Sequence, residues 1–408
     1  MKTIEGGITA AKGFLANGIA CGIKKRKKDM ALVLSQKDCS FAGAFTTNLV
    51  KAAPVLWDQA LVKDSASVRG IVINSGNANA CTGNQGLEDA SAMATLAAKA
   101  FGQEVQANQV FVCSTGVIGV PLPMEILGKG IDLCAKNLGG SREAGSLAAE
   151  AICTTDTFSK EIAVEVELDG TMVHIGGMAK GSGMIHPNMA TMLSFITTDA
   201  VIEKEVLQKL LGTTVIDSYN MISVDGDTST NDTVLVLANG MSQCGTLTPD
   251  SSCWDAFKQA FEYVHTYLAK AIVRDGEGAG KFIEVHVGGA SDKKTAQILA
   301  RSVVGSNLVK TAFFGSDANW GRILCAMGYS GAAFDPACVT LSFSSVKGSL
   351  EVVSQGQPIV FDEHKAKEIL LEKEVQVEVS VGDGPGAGTA WGCDLSYEYV
   401  RINGDYRS

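Results

Sequence analysis

Residues 176–193 are the part of the chain whose composition most suggests chemistry. They read GGMAKGSGMIHPNMATML and combine four glycines with a lysine, a histidine and a proline between two apolar runs. So many special backbone residues are unusual in a simple connector and are typical of functional loops. Thr191 stands at the end of this loop and is expected to begin a buried strand. A rigid element would then hold its hydroxyl, which suits a nucleophile.

A threonine hydroxyl is a weak nucleophile unless a base lies beside it. One solution is the threonine's own α-amine, freed by cleavage of the preceding peptide bond. Such an amine has a reference pKa of about 7.7–8.0, which suits general-base catalysis at neutral pH. Spacing alone leaves two interpretations of Thr191 open: it is a nucleophile, or it is an ordinary β-branched strand residue.

Other motifs give weaker signals. Residues 276–281 (GEGAGK) look like a phosphate loop, but Phe282 stands where that motif needs Ser or Thr, and a predicted helix precedes them. The segment contains one carboxylate, Glu277. Two interpretations stay open: Glu277 belongs to an ordinary helix C-terminus, or it contacts the ammonium group of a substrate. The five histidines show no HxH or HExxH spacing, so we expect no metal site. The basic run at residues 24–28 (KKRKK) is predicted to be a solvated turn.

Composition indicates an ordinary globular protein. The 408 residues are 46% hydrophobic and 19% charged, and 34 Lys and Arg against 44 Asp and Glu give a net charge of −10. This charge argues against a nucleic-acid partner. The eleven cysteines include no CxxC and fit a reducing compartment. With neither a long apolar run nor a leader-like start, we expect no membrane segment and a cytoplasmic location.

Strands and helices interleave along the whole chain. Strands are predicted at residues 31–34, 70–73, 110–112, 162–168, 171–175, 191–196, 233–237, 282–285, 339–343, 375–381 and 395–402. Helices are predicted at residues 87–101, 202–211, 254–273, 295–303 and 364–371. A loop, Ser114-Thr115-Gly116, is expected after the strand at 110–112. The pattern favours a layered α+β fold over a doubly wound parallel sheet, with a division near residue 285 into 1–284 and 285–408.

Several segments of the sequence resemble those of a known family. Residues 180–193 (KGSGMIHPNMATML) are similar to the self-cleavage signature of the ornithine acetyltransferase (ArgJ) family of arginine biosynthesis. Residues 74–83 (NSGNANACTG) resemble its Asn-rich loop, and residues 114–119 (STGVIG) resemble its oxyanion loop. Residues 317–322 (DANWGR) and 402–408 (INGDYRS) also match, with Ala318 in place of Pro and Gly404 in place of Ala. The resemblance covers essentially the whole chain.

The resemblance implies self-cleavage followed by covalent acetyl transfer. Thr191 would attack the carbonyl of Ala190 and leave an α chain, residues 1–190, and a β chain, residues 191–408. Thr191 would then take an acetyl group from N-acetylornithine and pass it to glutamate. The Thr115 hydroxyl and the Gly116 N–H would hold the oxyanion.

The resemblance also implies a substrate-binding set: Thr154, Lys180, Thr191, Glu277, Asn403 and Ser408. Lys180 would pair with the α-carboxylate and Glu277 with the ornithine side-chain ammonium, while His186 is interpreted as structural. No metal or tightly bound cofactor is implied. Some members use acetyl-CoA as a co-substrate to make N-acetylglutamate directly, and no residue separates them from the others.

For the fold, the resemblance implies a layered αββα core, similar in appearance to N-terminal-nucleophile hydrolases, and a smaller C-terminal α/β domain. The implied assembly contains two α and two β chains. Two other functions stay open. An amidohydrolase or aminopeptidase with the same nucleophile would transfer the acyl group to water, and a nucleotide-binding protein with these glycine loops would stay uncleaved.

Overall fold

The computed structural model describes residues 1–186 and 192–405. Two compact units are present. The first comprises Met1–Gly181, Asn188–Tyr219 and Thr228–Ile272, and the second comprises Ser182–Pro187, Asn220–Asp227 and Val273–Ser408. Each unit combines helices with a β-sheet, which confirms the predicted α+β class. The division predicted near residue 285 falls inside a strand, Phe282–Ala290.

The first part of the chain contains β1 (Lys2–Ile4), β2 (Phe14–Ile19), β3 (Met30–Phe45), α1 (Ala53–Asp64), β4 (Val68–Asn77), α2 (Gly83–Phe101), β5 (Val110–Val117), α3 (Met124–Ala135), α4 (Arg142–Ile152), β6 (Lys160–Leu168), β7 (Thr171–Lys180), β8 (Leu193–Thr198), α5 (Lys204–Asp217), β9 (Ile222–Ser223), β10 (Thr233–Ala238) and α6 (Trp254–Arg274). The remainder contains β11 (Phe282–Ala290), α7 (Lys293–Gly305), α8 (Asn307–Phe314), α9 (Trp320–Gly328), β12 (Thr340–Ser345), β13 (Gly348–Ser354), β14 (Gln357–Pro358), α10 (Glu363–Leu370), β15 (Glu374–Ser380), β16 (Gly386–Cys393) and α11 (Tyr397–Gly404). Short 3₁₀ turns lie at Ala107–Gln109, Tyr219–Met221 and Pro336–Cys338.

The long strand β3 organises the first unit. Its first half pairs with β2 and β4, and its second half pairs with β10. The pairing register shifts between Leu34 and Cys39, where the strand passes from one set of partners to the other. The result is two sheets that share β3, in the orders β2-β3-β4-β5 and β1-β6-β7-β8-β10-β3.

The hydrophobic core lies between these two sheets. Ile71 of β4 and Phe111 of β5 belong to the same buried cluster as Met178 of β7 and Phe195 of β8. On the outer face of the first sheet, buried side chains of β4 and β5 pack with residues of α2 and α3. Because the middle of β4 is buried on both faces, Ile71, Val72 and Ile73 are apolar in succession rather than alternating with polar residues.

The outer face of the second sheet is covered by α6. Ser194 of β8 shares a hydrogen bond of 2.8 Å with the hydroxyl of Tyr219. The Tyr219 ring in turn meets the ring of His265 in α6 edge-on, with centroids 5.6 Å apart. Helices therefore cover both sheets, and the first unit has the predicted helix–sheet–sheet–helix layering.

The second unit is built on a seven-stranded mixed sheet in the order β14-β13-β12-β15-β11-β16-β9. The helix α7 packs on β16 and β11. The glycine-rich segment at 276–281 connects α6 to β11, so it follows a helix and precedes a strand, as the sequence indicates. No helix among residues 1–186 and 192–405 is long and apolar enough to cross a membrane.

Two local predictions are wrong. The loop expected at residues 114–116 is instead the end of β5, because this segment continues the parallel pairing with β4. The strand expected at residues 395–402 is instead the helix α11. Its apolar residues mark no buried face, since Tyr397 and Val400 are 82% and 68% exposed. The helix starts at Ser396, whose side chain accepts a hydrogen bond from the Tyr399 N–H.

Candidate active site

The end of β5 carries the two residues expected to hold an oxyanion. Gly116 is paired with Gly76 of β4 and has a φ of +133°. A side chain at Gly116 would place its Cβ 2.3 Å from the Gly76 carbonyl carbon, so only glycine allows the two backbones to approach so closely. Thr115 and Gly116 are partly exposed. Within the described residues the Thr115 hydroxyl has no hydrogen-bond partner and is free to donate to a ligand.

Buried asparagines fix the backbone around this point. The Asn231 side chain donates from Nδ2 to the carbonyls of Ala78 at 2.6 Å and Ser114 at 2.8 Å. The Ser114 hydroxyl donates to Asn74 Oδ1 at 2.6 Å, and Asn74 Nδ2 donates to the Asn77 carbonyl at 2.9 Å. These amides bind backbone groups, so the Asn-rich segment shapes the chain on both sides of Thr115.

A buried carboxyl supports β5 from α1. Asp58 accepts a hydrogen bond of 2.8 Å from the Val112 N–H, and the Cys113 thiol lies 3.5 Å from its other oxygen. Burial raises the pKa of the Asp58 carboxyl and also that of the Cys113 thiol. Cys113 is therefore a neutral thiol at pH 7, which makes it a poor nucleophile despite its position beside Thr115.

Two residues of the implied substrate set adjoin a fully buried ion pair. Asp156 accepts hydrogen bonds from Lys160 Nζ at 2.7 Å, from the Thr154 N–H at 2.9 Å and from the Gly181 N–H at 2.7 Å. Burial alone would raise the pKa of Asp156, but the positive charges of Lys180 and Lys160 hold it well below its usual range. Because two ammonium groups surround one carboxylate, this region keeps a net positive charge.

Lys180 ends β7 and is only 8% exposed. It is paired with Leu193, the first residue of β8. Strand β8 was expected to start at Thr191 and starts two residues later. The predicted cleavage pair Ala190 and Thr191 lies outside the described residues, as does Ser408.

The basic run at residues 24–28 is not only a solvated turn. Its Lys25 and Arg26 are exposed, as expected, but Lys24 is partly buried. Lys24 Nζ donates to the Cys153 carbonyl at 2.8 Å, and burial lowers its pKa to about 8. The run therefore contacts the segment that carries Thr154.

In the second unit, Glu277 and Asn403 contact each other. Asn403 Nδ2 donates to Glu277 Oε2 at 2.7 Å. Glu277 is 7% exposed, and its own N–H donates to the Ser182 carbonyl at 3.0 Å. A Cβ on Gly183 would lie 2.3 Å from the Glu277 carboxylate, so this carboxylate packs directly against the glycine and a larger residue there would displace it. The helix α11, which was predicted to be a strand, is what brings Asn403 to Glu277.

The segment just before the predicted cleavage site is held by Asp225. Its carboxylate accepts hydrogen bonds from the N–H groups of Met184 at 2.6 Å and Ile185 at 2.8 Å. Met184 has a φ of +57°, an uncommon conformation for a residue with a long side chain. The Tyr399 hydroxyl donates to the same carboxylate at 3.2 Å. Asp225 therefore stabilises a strained backbone at Met184, which precedes the predicted cleavage pair in the sequence.

His186 lies in the same segment. Its Nδ1 is 3.0 Å from the Ser223 hydroxyl. Burial, and then the positive charge of Arg301, lower its pKa to about 4. The imidazole is therefore uncharged at neutral pH.

Sequence patterns gave no indication of several residues that shape these sites: Asp156, Lys160, Asp225 and Asn231. Their roles depend on contacts between distant parts of the chain, such as Asn231 with Ser114. Lys160 and Asp156 are four residues apart, a spacing that normally suggests a helix pair, yet no helix contains them. In residues 1–186 and 192–405, no group of three His, Cys, Asp or Glu side chains is arranged to hold a metal ion.

Comparison with known proteins gives consistent matches along the chain. The model of the ArgJ family matches residues 15–408. The chain is 52% identical over its full length to the arginine biosynthesis bifunctional protein ArgJ of Caldanaerobacter subterraneus, with all of that protein covered. It is also 52% identical to the protein of the same name from Symbiobacterium thermophilum, again over both full lengths. The crystal structure of arginine biosynthesis bifunctional protein ArgJ from Bacillus halodurans has a TM-score of 0.51 and 46% identity, covering 52% of this chain and 99% of that one.

Proposed function

This chain belongs to the ArgJ family and is an acetyltransferase of arginine biosynthesis, and from that premise we propose its reaction and the residues that perform it. The chain transfers the acetyl group of N-acetylornithine to glutamate through an acetyl ester on Thr191. The observation that supports this assignment is the burial of two opposite charges, the cation Lys180 in the first unit and the carboxylate Glu277 in the second. N-acetylornithine has one carboxylate and one side-chain ammonium, which are the complementary charges.

Activation is proposed to begin with cleavage of the chain. The Thr191 hydroxyl attacks the Ala190 carbonyl, and the peptide bond becomes an ester. The same step frees the Thr191 α-amine, which takes up the hydroxyl proton, and hydrolysis of the ester then releases residues 1–190 and restores the Thr191 hydroxyl. The strained Met184, held by Asp225, lies close before this bond in the sequence and supports the idea that the segment is constrained for cleavage.

Acetyl transfer follows in two steps. The freed amine accepts the proton of the Thr191 hydroxyl, whose oxygen attacks the acetyl carbonyl of N-acetylornithine. The Thr115 hydroxyl and the Gly116 N–H stabilise the oxyanion, and ornithine leaves as its amine takes the proton. The glutamate amine then attacks the acetyl ester, N-acetylglutamate leaves, and the Thr191 hydroxyl is restored.

The remaining contacts are those that the resemblance to the ArgJ family implies. Lys180 binds the α-carboxylate of either substrate, and Thr154, whose N–H binds Asp156 beside it, contributes to the same site. Glu277 binds the ornithine ammonium, and Asn403 orients the Glu277 carboxylate. Ser408 completes the substrate contacts.

Three further properties are proposed. Acetyl-CoA serves as a second acetyl donor, without any tightly bound cofactor. Two copies of each cleaved chain form the assembly. The enzyme works in the cytoplasm, where reduced thiols are stable, and all eleven cysteines of the chain are free thiols.

A partition experiment tests the proposed reaction against hydrolysis. Purified protein is incubated with N-acetylornithine and glutamate, and N-acetylglutamate, ornithine and free acetate are measured over time. Acetyl transfer predicts equal amounts of ornithine and N-acetylglutamate with little acetate. Ornithine release that yields mainly acetate, at the same rate with and without glutamate, would identify a hydrolase instead.

A further inference from the structure

The basic run at residues 24–28 forms a defined loop between β2 and β3. The buried carboxylate of Asp29 accepts hydrogen bonds from the N–H groups of Cys21 at 2.6 Å, Gly22 at 3.1 Å and Lys24 at 2.8 Å. Five successive basic residues are unusual in a chain with a net charge of −10. The loop is thus a fixed, locally positive surface on an otherwise acidic protein.

This loop borders the residues proposed for catalysis in the first unit. Lys24 Nζ donates to the Cys153 carbonyl at 2.8 Å, and Lys27 Nζ donates to the Thr154 carbonyl at 3.4 Å. The stem of Lys24 also packs against Gly76, because a Cβ on that glycine would lie 3.0 Å from Lys24 Cγ. Gly76 is the residue that pairs with Gly116.

Part of this charge has an ordinary structural explanation. Lys24, Lys27 and Lys28 lie at the C-terminal end of α4, where cations stabilise the exposed carbonyls, and Lys28 pairs with Glu150 at 2.6 Å. Lys25 and Arg26 differ, because they are exposed and have no ion pair or hydrogen bond within the described residues. Helix capping does not account for these two charges.

We propose that this loop binds the phosphate groups of a phosphorylated acyl thioester, acetyl-CoA. The inference rests on the proposed function and adds the place where the phosphate groups of acetyl-CoA bind. One carboxylate needs only one or two cations, whereas several phosphates suit a cluster of Lys and Arg. In the transfer, the acetyl–oxygen bond to Thr191 forms, the carbon–sulfur bond breaks, and the hydroxyl proton passes to the CoA sulfur.

The test neutralises the two unpartnered cations in the double variant Lys25→Gln/Arg26→Gln. Formation of N-acetylglutamate is measured with acetyl-CoA, with N-acetylornithine, and with the acetyl thioester of N-acetylcysteamine, which lacks phosphates. The KM for acetyl-CoA is expected to rise roughly tenfold or more relative to that for N-acetylornithine, which corresponds to loss of one charge-assisted hydrogen bond. The phosphate-free thioester is expected to show no such change.

A matched control separates a specific site from a general charge effect. Lys99→Gln/Lys136→Gln removes two exposed positive charges elsewhere and is expected to leave the KM for acetyl-CoA unchanged. An unchanged KM for acetyl-CoA in the loop variant, or equal rises for both donors, would overturn the proposal. Wild-type protein that uses N-acetylornithine but not acetyl-CoA would also overturn it while leaving the main reaction intact. If neither donor is used, the proposed function itself fails.

Discussion

At the scale of single residues, the account depends on a few charges and donors held by their neighbours. Glu277 illustrates this, since Asn403 binds one of its oxygens and Gly183 leaves the room that its carboxylate needs. Lys180 is also left available for a substrate. The neighbouring carboxylate of Asp156 already forms an ion pair with Lys160. These supports keep each charged group ready to bind an opposite charge on a substrate.

Replacing Glu277 by glutamine tests its proposed partner. The variant keeps the shape of the side chain and removes its charge, so kcat/KM for N-acetylornithine is expected to fall by the equivalent of about 1.5–3 kcal/mol. The rate at which Thr191 is acetylated by a donor without an ammonium group should fall less in this variant. Glu351→Gln, at an exposed position, serves as the control. Wild-type kcat/KM for N-acetylornithine in Glu277→Gln would refute this assignment.

The Thr115 hydroxyl is expected to act on the transition state. Thr115→Ala removes one oxyanion donor, so kcat should fall by about 10²–10³, while KM changes little. Steady-state kinetics on folded, fully cleaved protein provide the measurement. Thr95→Ala, which alters an exposed threonine of α2, should behave as wild type. A kcat within about twofold of wild type, together with lower thermal stability, would show that Thr115 has only a structural role.

At the scale of secondary-structure elements, β5 is positioned by side chains that come from far along the sequence. Asn231, which follows β9 and precedes β10, ties the carbonyl of Ser114 to that of Ala78. The end of β5 therefore cannot move without breaking contacts with the Asn-rich segment. This makes Asn231 a positioning residue, which acts on the reaction only through the backbone of Thr115 and Gly116.

Asn231→Ala removes the hydrogen bonds to the Ala78 and Ser114 carbonyls and the one that Asn231 accepts from the Thr230 hydroxyl. Unfolding free energy should fall by about 1–3 kcal/mol for each unsatisfied group. Because the oxyanion donors lose their support, kcat should also fall well below wild type with little change in KM. Asn77, whose amide binds the carbonyls of Val120 and Pro121, provides a comparison: Asn77→Ala should lower stability similarly. If Asn231→Ala loses stability but keeps its kcat, Asn231 is structural only.

The sequence predicts the regular elements well and their irregular parts poorly. Periodicity identifies the hairpin of β6 and β7 and the helix α6, because both bury one consistent set of apolar side chains. It fails for α11, where apolar residues such as Tyr397 and Val400 are exposed and a serine cap starts a helix. The candidate site residues came from resemblance to a family. Their supports, such as Asp156 and Asn231, could not be predicted, since buried polar contacts between distant segments leave no periodic signal.

At the scale of the whole molecule, stability is expected to depend on pH through buried histidines. Burial lowers the pKa of His265 to about 3, and within the described residues neither ring nitrogen has a hydrogen-bond partner. In the unfolded chain a histidine titrates near about 6.5. The unfolded state therefore binds the proton first as the pH falls. The stability contribution is complete above about pH 6.5 and is lost progressively towards pH 3.

His265→Phe is expected to remove this dependence. The ring already lies between Tyr219 and Phe261, with centroids 5.6 and 4.4 Å away, so an aromatic replacement fits the surroundings. Unfolding free energy at pH 7 should stay equal or rise, because no hydrogen bond is lost. Between pH 7 and 5 the wild type should lose on the order of a few kcal/mol more than the variant. Denaturant titrations at the two pH values measure this difference.

A control variant isolates the contribution of burial. His364 lies exposed in α10, so His364→Phe should leave the pH dependence of wild type unchanged. Identical pH dependence in wild type and His265→Phe would show that His265 does not carry the effect.

The proposed mechanism depends on one bond and one side chain: the Thr191 hydroxyl attacks the Ala190 carbonyl and breaks the Ala190–Thr191 peptide bond, and it then carries the acetyl group. Intact mass spectrometry of the denatured protein tests both parts at once. Wild type should give two chains, 1–190 and 191–408, and N-acetylornithine should add the mass of one acetyl group to the second chain only. Glutamate should remove that mass. Thr191→Ala should give one uncut chain of 408 residues without acetyl. A single uncut wild-type chain, normal fragments from Thr191→Ala, or acetyl on residues 1–190 would contradict the account.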